Sequence, residues 1–257
     1  VLGRGMCPTI ALGVALSVVL VAAPMPSPVR SEIQLELGDL LFADERYYDA
    51  ISVYDRAKEG ADPGQLERAS SGLLRSLLYV AEFNRAYEEA LFLESLDPSD
   101  PELRTLSADG LWSYGLFDEA AELYEDVLAT TPSSGRARHG LARSLAARNL
   151  QEQALIEIRA AIASSPRDPV LHYTLGQILR GLNRYGEAAE ALERYVEMLP
   201  NVRESDQVSW TRSEASFLRA FGDRVPFEMP RDADVVHTLP FRLINEKIVV
   251  SGRINGH

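Results

Sequence analysis

The chain has 257 residues, 46% hydrophobic and 25% charged, with 26 Lys and Arg against 38 Asp and Glu for a net charge of −12. That length holds one or two domains with full cores, and the composition excludes a collagen-like, disulfide-scaffolded or wholly disordered protein. The acidic balance opposes non-specific attraction to nucleic acid and anionic membranes, and the single cysteine excludes an internal disulfide or a cysteine-rich zinc site.

Residues Thr9 to Ala23, TIALGVALSVVLVAA, form an uncharged apolar run preceded only by Arg4 as a cation. The run has about the length of a secretory signal core and falls short of the roughly 20 residues of a spanning helix. Val21-Ala22-Ala23 offers a cleavage site, and Pro24, Pro26 and Pro28 stop the helix from continuing. The expectation is a signal peptide over 1–23 and a linker over 24–30, with export to a periplasm or outside the cell. An uncleaved anchor is the alternative for the same run. Cys7 precedes the run, against a lipoprotein signal, and cleavage would leave a mature chain without cysteine, as suits an oxidising compartment. No stable membrane insertion is expected after cleavage.

Beyond residue 31 the sequence repeats. Ala86, Ala120, Ala154 and Ala188 are each 34 residues apart, as are Pro98, Pro132, Pro166 and Pro200. Leu77, Leu111, Leu145 and Leu179 keep the same step, with Leu41 preceding by 36. Small residues Gly38, Ala108, Ala142 and Gly176 lie three positions before these leucines, and Leu74 breaks that column. Between the markers apolar residues recur at helical spacing, with a break such as Tyr114-Gly115 inside each unit. Each unit therefore predicts two short antiparallel helices, closely paired through the small residues, with proline ending the second.

This pattern resembles the tetratricopeptide repeat (TPR) family. Leu37-Gly38, Leu41, Ala50, Tyr54 and Ala57 fill the family's positions in the first unit. Leu141-Ala142, Leu145, Ala154, Ile158, Ala161 and Pro166 fill them in the fourth, and Leu175-Gly176, Leu179, Ala188, Leu192 and Pro200 in the fifth. The usual early Trp is replaced by Gln34, Ser70, Arg104, Arg138 and His172, and the second unit departs at Ala90 and Leu93. The fold expected is all-α, a TPR α-solenoid of five units at 31–64, 67–100, 101–134, 135–168 and 169–202. Such units stack into a right-handed superhelix with a concave groove. Residues 203–222 are expected to form a capping helix, with Trp210, Phe217, Leu218 and Phe221 at helical spacing beside charged residues.

From 223 to 257 β-branched residues replace Ala and Leu, and Phe241, Leu243, then Ile248, Val249, Val250 and Ile254 read as strands. Asn255-Gly256 is a preferred hairpin turn that would need a following strand. The expectation is a short β segment that is the truncated start of a longer domain. Ile248, Val250, Gly252, Ile254, Asn255 and Gly256 resemble the opening of retropepsin-like aspartic proteases, in which a following strand ends in Asp-Thr-Gly. Neither Asp-Thr-Gly nor Asp-Ser-Gly occurs here, so no catalytic residue is carried over. That chemistry needs two carboxylates sharing a proton, so the chain as it stands is not expected to be catalytic, though a full-length parent could be an aspartic peptidase.

No cofactor and no metal are expected. His139, His172, His237 and His257 show no helical ligand spacing, although His139 and His172 fall in adjacent units. Gly110 and Gly115 read as a helix end and a turn, not a phosphate loop. Ser133-Ser134 and Ser164-Ser165 read as helix caps before new units, and Glu88-Glu89 and Asp118-Glu119 as solvated faces.

The TPR resemblance implies a groove lined by the first helix of each unit. It places Asp39, Arg75, Asp109, Arg143 and Gln177 in one row, with Phe42, Tyr79, Trp112, His139, Tyr173 and Arg180 beside them. Arg and aromatic side chains anchor peptides through bidentate carboxylate contacts and rigid apolar area. The alternative is that Asp39, Arg75, Asp109 and Arg143 pair with one another along the stack. The expected function is a scaffold holding a protein or peptide partner, without nucleic acid. The other expectation is the recruiting arm of a retropepsin-like endopeptidase.

Overall fold

Proline and capping residues decide where the helices begin. The computed structural model describes residues 27–97, 99–199, 205–221, 241–244 and 247–250. Asp62 accepts the backbone N–H of Gln65 at 2.9 Å, Asp100 those of Glu102 and Leu103, and Asp168 that of Val170. In all three cases a proline follows at the first helical position, where its missing N–H costs nothing. Ser134 caps its helix alone, through Ala137 N–H at 3.2 Å. Ser164-Ser165 do not cap a new helix as expected: they end the preceding one, and Asp168 starts the next.

Among the described residues five helix pairs result: α1 (Ser27–Ala43) with α2 (Tyr47–Ala57), α3 (Pro63–Tyr79) with α4 (Phe83–Leu96), α5 (Pro101–Tyr114) with α6 (Phe117–Thr130), α7 (Gly135–Ala147) with α8 (Gln151–Ser164), and α9 (Pro169–Gly181) with α10 (Tyr185–Met198). A single helix, α11 (Asp206–Phe221), follows. This is the all-α repeat architecture expected of a TPR solenoid. The third to fifth pairs begin at the expected residues. The first begins at Ser27, inside the stretch expected to be linker, and the second at Pro63 because Asp62 and Gln65 form a reciprocal capping box there.

The turn inside every pair is built the same way. The carbonyls of Leu41, Leu77, Leu111, Leu145 and Leu179 accept the N–H groups of Arg46, Glu82, Leu116, Leu150 and Arg184 at 2.9–3.1 Å. The preceding N–H groups, of Glu45, Ala81, Gly115, Asn149 and Asn183, bond to Phe42, Leu78, Trp112, Ala146 and Arg180. These five residues all have φ between 58° and 98°. The paired bonds and the left-handed residue make the Schellman closure that satisfies carbonyls at a helix end. The leucine column thus serves twice, as buried side chain and as main-chain acceptor.

The alanine column lies at the contact between paired helices: Ala86, Ala120, Ala154 and Ala188 are completely buried. Glycines admit larger partners. A Cβ on Gly38 or Gly72 would fall 2.6 or 2.4 Å from the Tyr54 ring, and one on Gly110, inside α5, would meet Ala90 Cβ at 2.5 Å. Gly72, 34 residues after Gly38, therefore takes the small position that Leu74 breaks in the sequence column.

The helices form two compact units, α1–α6 and α7–α11 with a hairpin. In the first, Leu35, Tyr54, Leu73, Leu74, Leu77, Leu93 and Leu106 share one buried core. Beside it Lys58 Nζ lies 2.7 and 2.9 Å from the Glu89 carboxylate and 4.3 Å from the centroid of the Phe92 ring. Glu89 is 8% exposed, which corrects its reading as a solvated residue; Lys58 neutralises it. In the second unit Ile158, Ile178 and Leu192 are fully buried, and Val208 of α11 joins Tyr195 and Val196 of α10.

Two short strands, β1 (Phe241–Ile244) and β2 (Lys247–Val250), pair antiparallel with Phe241 opposite Val250 and Ile244 opposite Lys247; Ile254, also read as strand, lies outside the described residues. The signal run, Pro98, Pro200 and the Asn255-Gly256 turn lie outside the described residues. Among the described residues no helix is long and apolar enough to cross a membrane.

Candidate functional site

In the first unit, α1, α3 and the start of α5 enclose an open cavity of about 480 Å³. Asp39 and Phe42 reach it from α1, Arg68 and Arg75 from α3, and Asp100 and Glu102 from the start of α5. The first helix of each pair therefore lines it. Three of the residues expected in the groove, Asp39, Phe42 and Arg75, come together here.

Their partners differ. Asp39 accepts a 2.7 Å hydrogen bond from the Tyr54 hydroxyl and a 3.5 Å contact from Arg68 Nη2, while Arg68 Nη1 holds Glu32 at 2.8 Å. The Arg68 hydrogen bond, followed by that of Gln65, holds the Glu32 carboxyl below its usual range. Arg75 is exposed and makes no hydrogen bond or ion pair among the described residues. Pairing along the row does not account for it, because Asp39 is occupied by Tyr54 and Arg68.

Aromatic rings edge the same unit. Tyr79 stacks on Tyr47 at 4.5 Å between centroids, and Phe42 meets both edge-on at 5.3 and 5.5 Å. Tyr79 remains 65% exposed. Burial, and then the neighbouring Tyr79, raise the Tyr47 phenol above its ordinary value. One repeat further on, Tyr87 and Tyr114 stack at 4.4 Å, and Trp112 tilts against Phe117 at 5.7 Å. Asp109 accepts the Tyr124 hydroxyl at 2.6 Å, as Asp39 does that of Tyr54.

In the second unit the expected residues have separate surroundings. His139 Nε2 is 2.9 Å from Thr174 Oγ1, Arg143 is half-buried, and Tyr173 packs on Tyr195 at 5.2 Å. His172 Nε2 approaches the Pro166 carbonyl at 3.4 Å. Gln177 has a buried Nε2 with no acceptor among the described residues. Arg180 donates to Glu214 of α11, and burial, followed by the Glu214 charge, pushes the Tyr173 phenol up. No group of three or more His, Cys, Asp or Glu among the described residues is arranged to hold a metal ion.

Three features escaped sequence reasoning. The Tyr47–Tyr79 and Tyr87–Tyr114 stacks join the second helix of one pair to the first of the next, at separations that follow no constant period. Glu214 lies in the helix expected only as a cap. That helix buries Val208, Thr211, Ala215 and Leu218 but leaves Trp210 54% and Phe217 62% exposed, so its outward face is not purely polar. Arg180 was the available signal, since it reaches past its own pair to Glu214 of α11, whereas Tyr173 packs on Tyr195 of α10.

A family model described as tetratricopeptide repeat matches residues 14–65, 105–169 and 157–203, more than half of the sequence. The chain belongs to the tetratricopeptide repeat family. Among solved structures it is similar to TTC0263, a thermophilic TPR protein of Thermus thermophilus, with TM-score 0.62 and 18% identity over 73% of this chain and 99% of that one. It is also similar to MamA from Desulfovibrio magneticus, with TM-score 0.52 and 16% identity over 66% of this chain and 94% of the other. At these identities the likeness shows the fold. Among curated proteins none matches the sequence. TPR proteins bind protein or peptide partners.

Proposed function

We propose that this TPR chain is a protein–protein interaction module whose first-helix faces hold an extended peptide or a helix of a partner. The observation that carries the reading is Arg75, an exposed guanidinium without a partner among the described residues, in a cavity shared with Phe42 and close to the Tyr79 stack. A guanidinium and flat rings recognise a peptide through carboxylate or carbonyl contacts and stacking. In the second unit the orphan Gln177 amide donor and Tyr173 supply similar chemistry, with His139 and Arg143 beside them, while Asp109 and Trp112 extend the row of the first unit. The test is selection of a displayed random-dodecapeptide library on the immobilised chain. Enriched peptides should lose at least tenfold in affinity with Arg75→Glu plus Tyr79→Ala, at unchanged helicity. No enrichment, or unchanged affinity, removes the assignment.

The apolar run Thr9–Ala23 and the prolines after it support an exported location for the module. Expression in a bacterial host followed by N-terminal sequencing of periplasmic material tests this; a retained Thr9–Ala23 segment there contradicts cleavage.

A second reading rests on the antiparallel pairing of β1 with β2, since β2 carries Ile248 and Val250 of the retropepsin-like pattern. In it the repeats recruit substrate for an aspartic endopeptidase. Sequencing the parent gene past the His257 codon decides: an open frame encoding Asp-Thr-Gly supports it, and its absence removes it.

A further inference from the structure

We infer that the cleft between α9 and α11 is a subsite for a basic side chain, arginine above lysine, presented by the protein partner. The inference rests on the interaction-module reading and names the chemistry of one contact within it. The cleft has a volume of about 330 Å³ and is lined by Arg180, Trp210, Ser213, Glu214 and Phe217. Its floor is a carboxylate withdrawn from water: the Glu214 side chain is 8% exposed. One Glu214 oxygen accepts Arg180 Nη1 at 2.5 Å, and Oε2 is buried with no hydrogen-bond partner among the described residues. A buried carboxylate oxygen without a donor is costly, so the site favours whatever brings an N–H to it.

The walls narrow the choice. Trp210 and Phe217 present large exposed rings, one turn of α11 to either side of Glu214. A cation over such faces is attracted by the ring quadrupole, and a planar guanidinium stacked on Trp210 can donate to Oε2 once the Glu214 carboxylate turns toward the cleft that it lines. An anionic ligand has the opposite balance, because the Arg180 charge is already engaged by Glu214. Charge complementarity extends to the whole chain, whose net −12 draws basic partners toward it.

The chain has two tryptophans, so Trp112→Phe leaves Trp210 as the only indole reporter in the full-length protein. Titration with the capped tripeptide acetyl-Gly-Arg-Gly-amide should shift Trp210 emission saturably. The citrulline tripeptide, equal in shape and uncharged, should bind at least fivefold more weakly, and the Glu tripeptide should give no saturable shift. Glu214→Gln, isosteric and able to keep its contact to Arg180, should weaken the arginine peptide at least tenfold. In the unsubstituted protein the same peptide should move the Trp210 indole N–H resonance and leave that of Trp112 in place, a readout independent of both substitutions. No saturable response, equal binding of arginine and citrulline peptides, or full affinity in Glu214→Gln overturns the inference and leaves Oε2 to ordered water. That failure is distinct from failure of the interaction-module reading, since library peptides dependent on Arg75 would still be selected.

Discussion

The Tyr54 hydroxyl donates to the Asp39 carboxylate, fifteen residues earlier in the same repeat, at 2.7 Å; Tyr124 does the same to Asp109, also at a separation of fifteen, at 2.6 Å. Both aspartates were expected on the binding row. Each ties the first helix of its repeat to the second, and Asp39 also borders the cavity. Tyr54→Phe removes this tie without changing ring packing. A hydrogen bond to a charged group contributes about 1.5–3 kcal/mol, and the solvent exposure of Asp39 brings the expected loss in urea unfolding to ~1 kcal/mol. A loss of less than a few tenths would show the bond to be incidental.

Alkaline pH should reveal the same bond. Burial, then the hydrogen bond and charge of Asp39, raise the Tyr54 phenol well above its ordinary value of 10.0. A group whose folded pKa is raised stabilises fully below the unfolded pKa and loses that contribution as pH rises through the folded one. Stability should therefore fall above about pH 10, and the fall should be shallower in Tyr54→Phe. Parallel curves for the two proteins would contradict this.

Gly72 and Gly115 predict two different failures. An added Cβ at Gly72 would lie 2.4 Å from Tyr54 Cζ, so Gly72→Ala overpacks a rigid ring, at about 1–3 kcal/mol. Gly72→Ala in a Tyr54→Leu background should cost much less. At Gly115 nothing lies within 4 Å of the added Cβ, but φ is +98°. Gly115→Ala should cost about 1–2 kcal/mol through the backbone alone, with no rescue from a neighbouring change. Equal rescue at both sites would refute the distinction.

Lys58 and Glu89 form the least exposed ion pair described in the first unit, with side chains 24% and 10% exposed. Lys58→Met leaves the Glu89 carboxylate enclosed without its cation. The expected loss is about 2–4 kcal/mol, somewhat below a fully buried pair because Lys58 is partly solvated. The double variant Lys58→Met, Glu89→Leu should recover most of it; an additive double loss would show that the pair is not coupled.

Ala81 and Glu45 hold left-handed backbone without being glycine, at φ 58° and 61°. Relief of that strain is worth about 1–2 kcal/mol, and the added freedom of glycine in the unfolded chain takes back about 0.5–1. Ala81→Gly should therefore raise the urea midpoint slightly, by ~0.5 kcal/mol of stability. A lower midpoint would mean that the Ala81 methyl contributes packing that outweighs the strain.

The repeat frame was legible because its markers are local. The leucine column marks the carbonyls that close each turn, and the alanine column marks helix contacts, so both recur at the length of one repeat. Gly72 was hidden because the second unit has its leucine two residues further on, and a column anchored on Leu77 misses it. Lys58–Glu89 crosses two pairs and follows no motif. The groove residues were placed by family position alone, and position does not say whether Asp39 faces a ligand or a tyrosine. Trp210 and Phe217 share helical spacing with the cap's buried residues, but lie on the face of α11 opposite Val208, Thr211, Ala215 and Leu218.

The five turns hold one further consequence. Their conformation is written in main-chain hydrogen bonds, while Glu45, Ala81 and Asn149 are exposed; Asn183 differs, because its Oδ1 accepts the Tyr185 hydroxyl at 2.7 Å. Geometry and surface identity are thereby uncoupled at these corners. An affinity tag, a fluorophore or a foreign loop epitope attached at Glu45, Ala81 or Asn149 would be displayed at a known corner of its repeat without altering how the chain reverses. The same uncoupling lets charge or shape at these corners change from repeat to repeat at little cost to the stack.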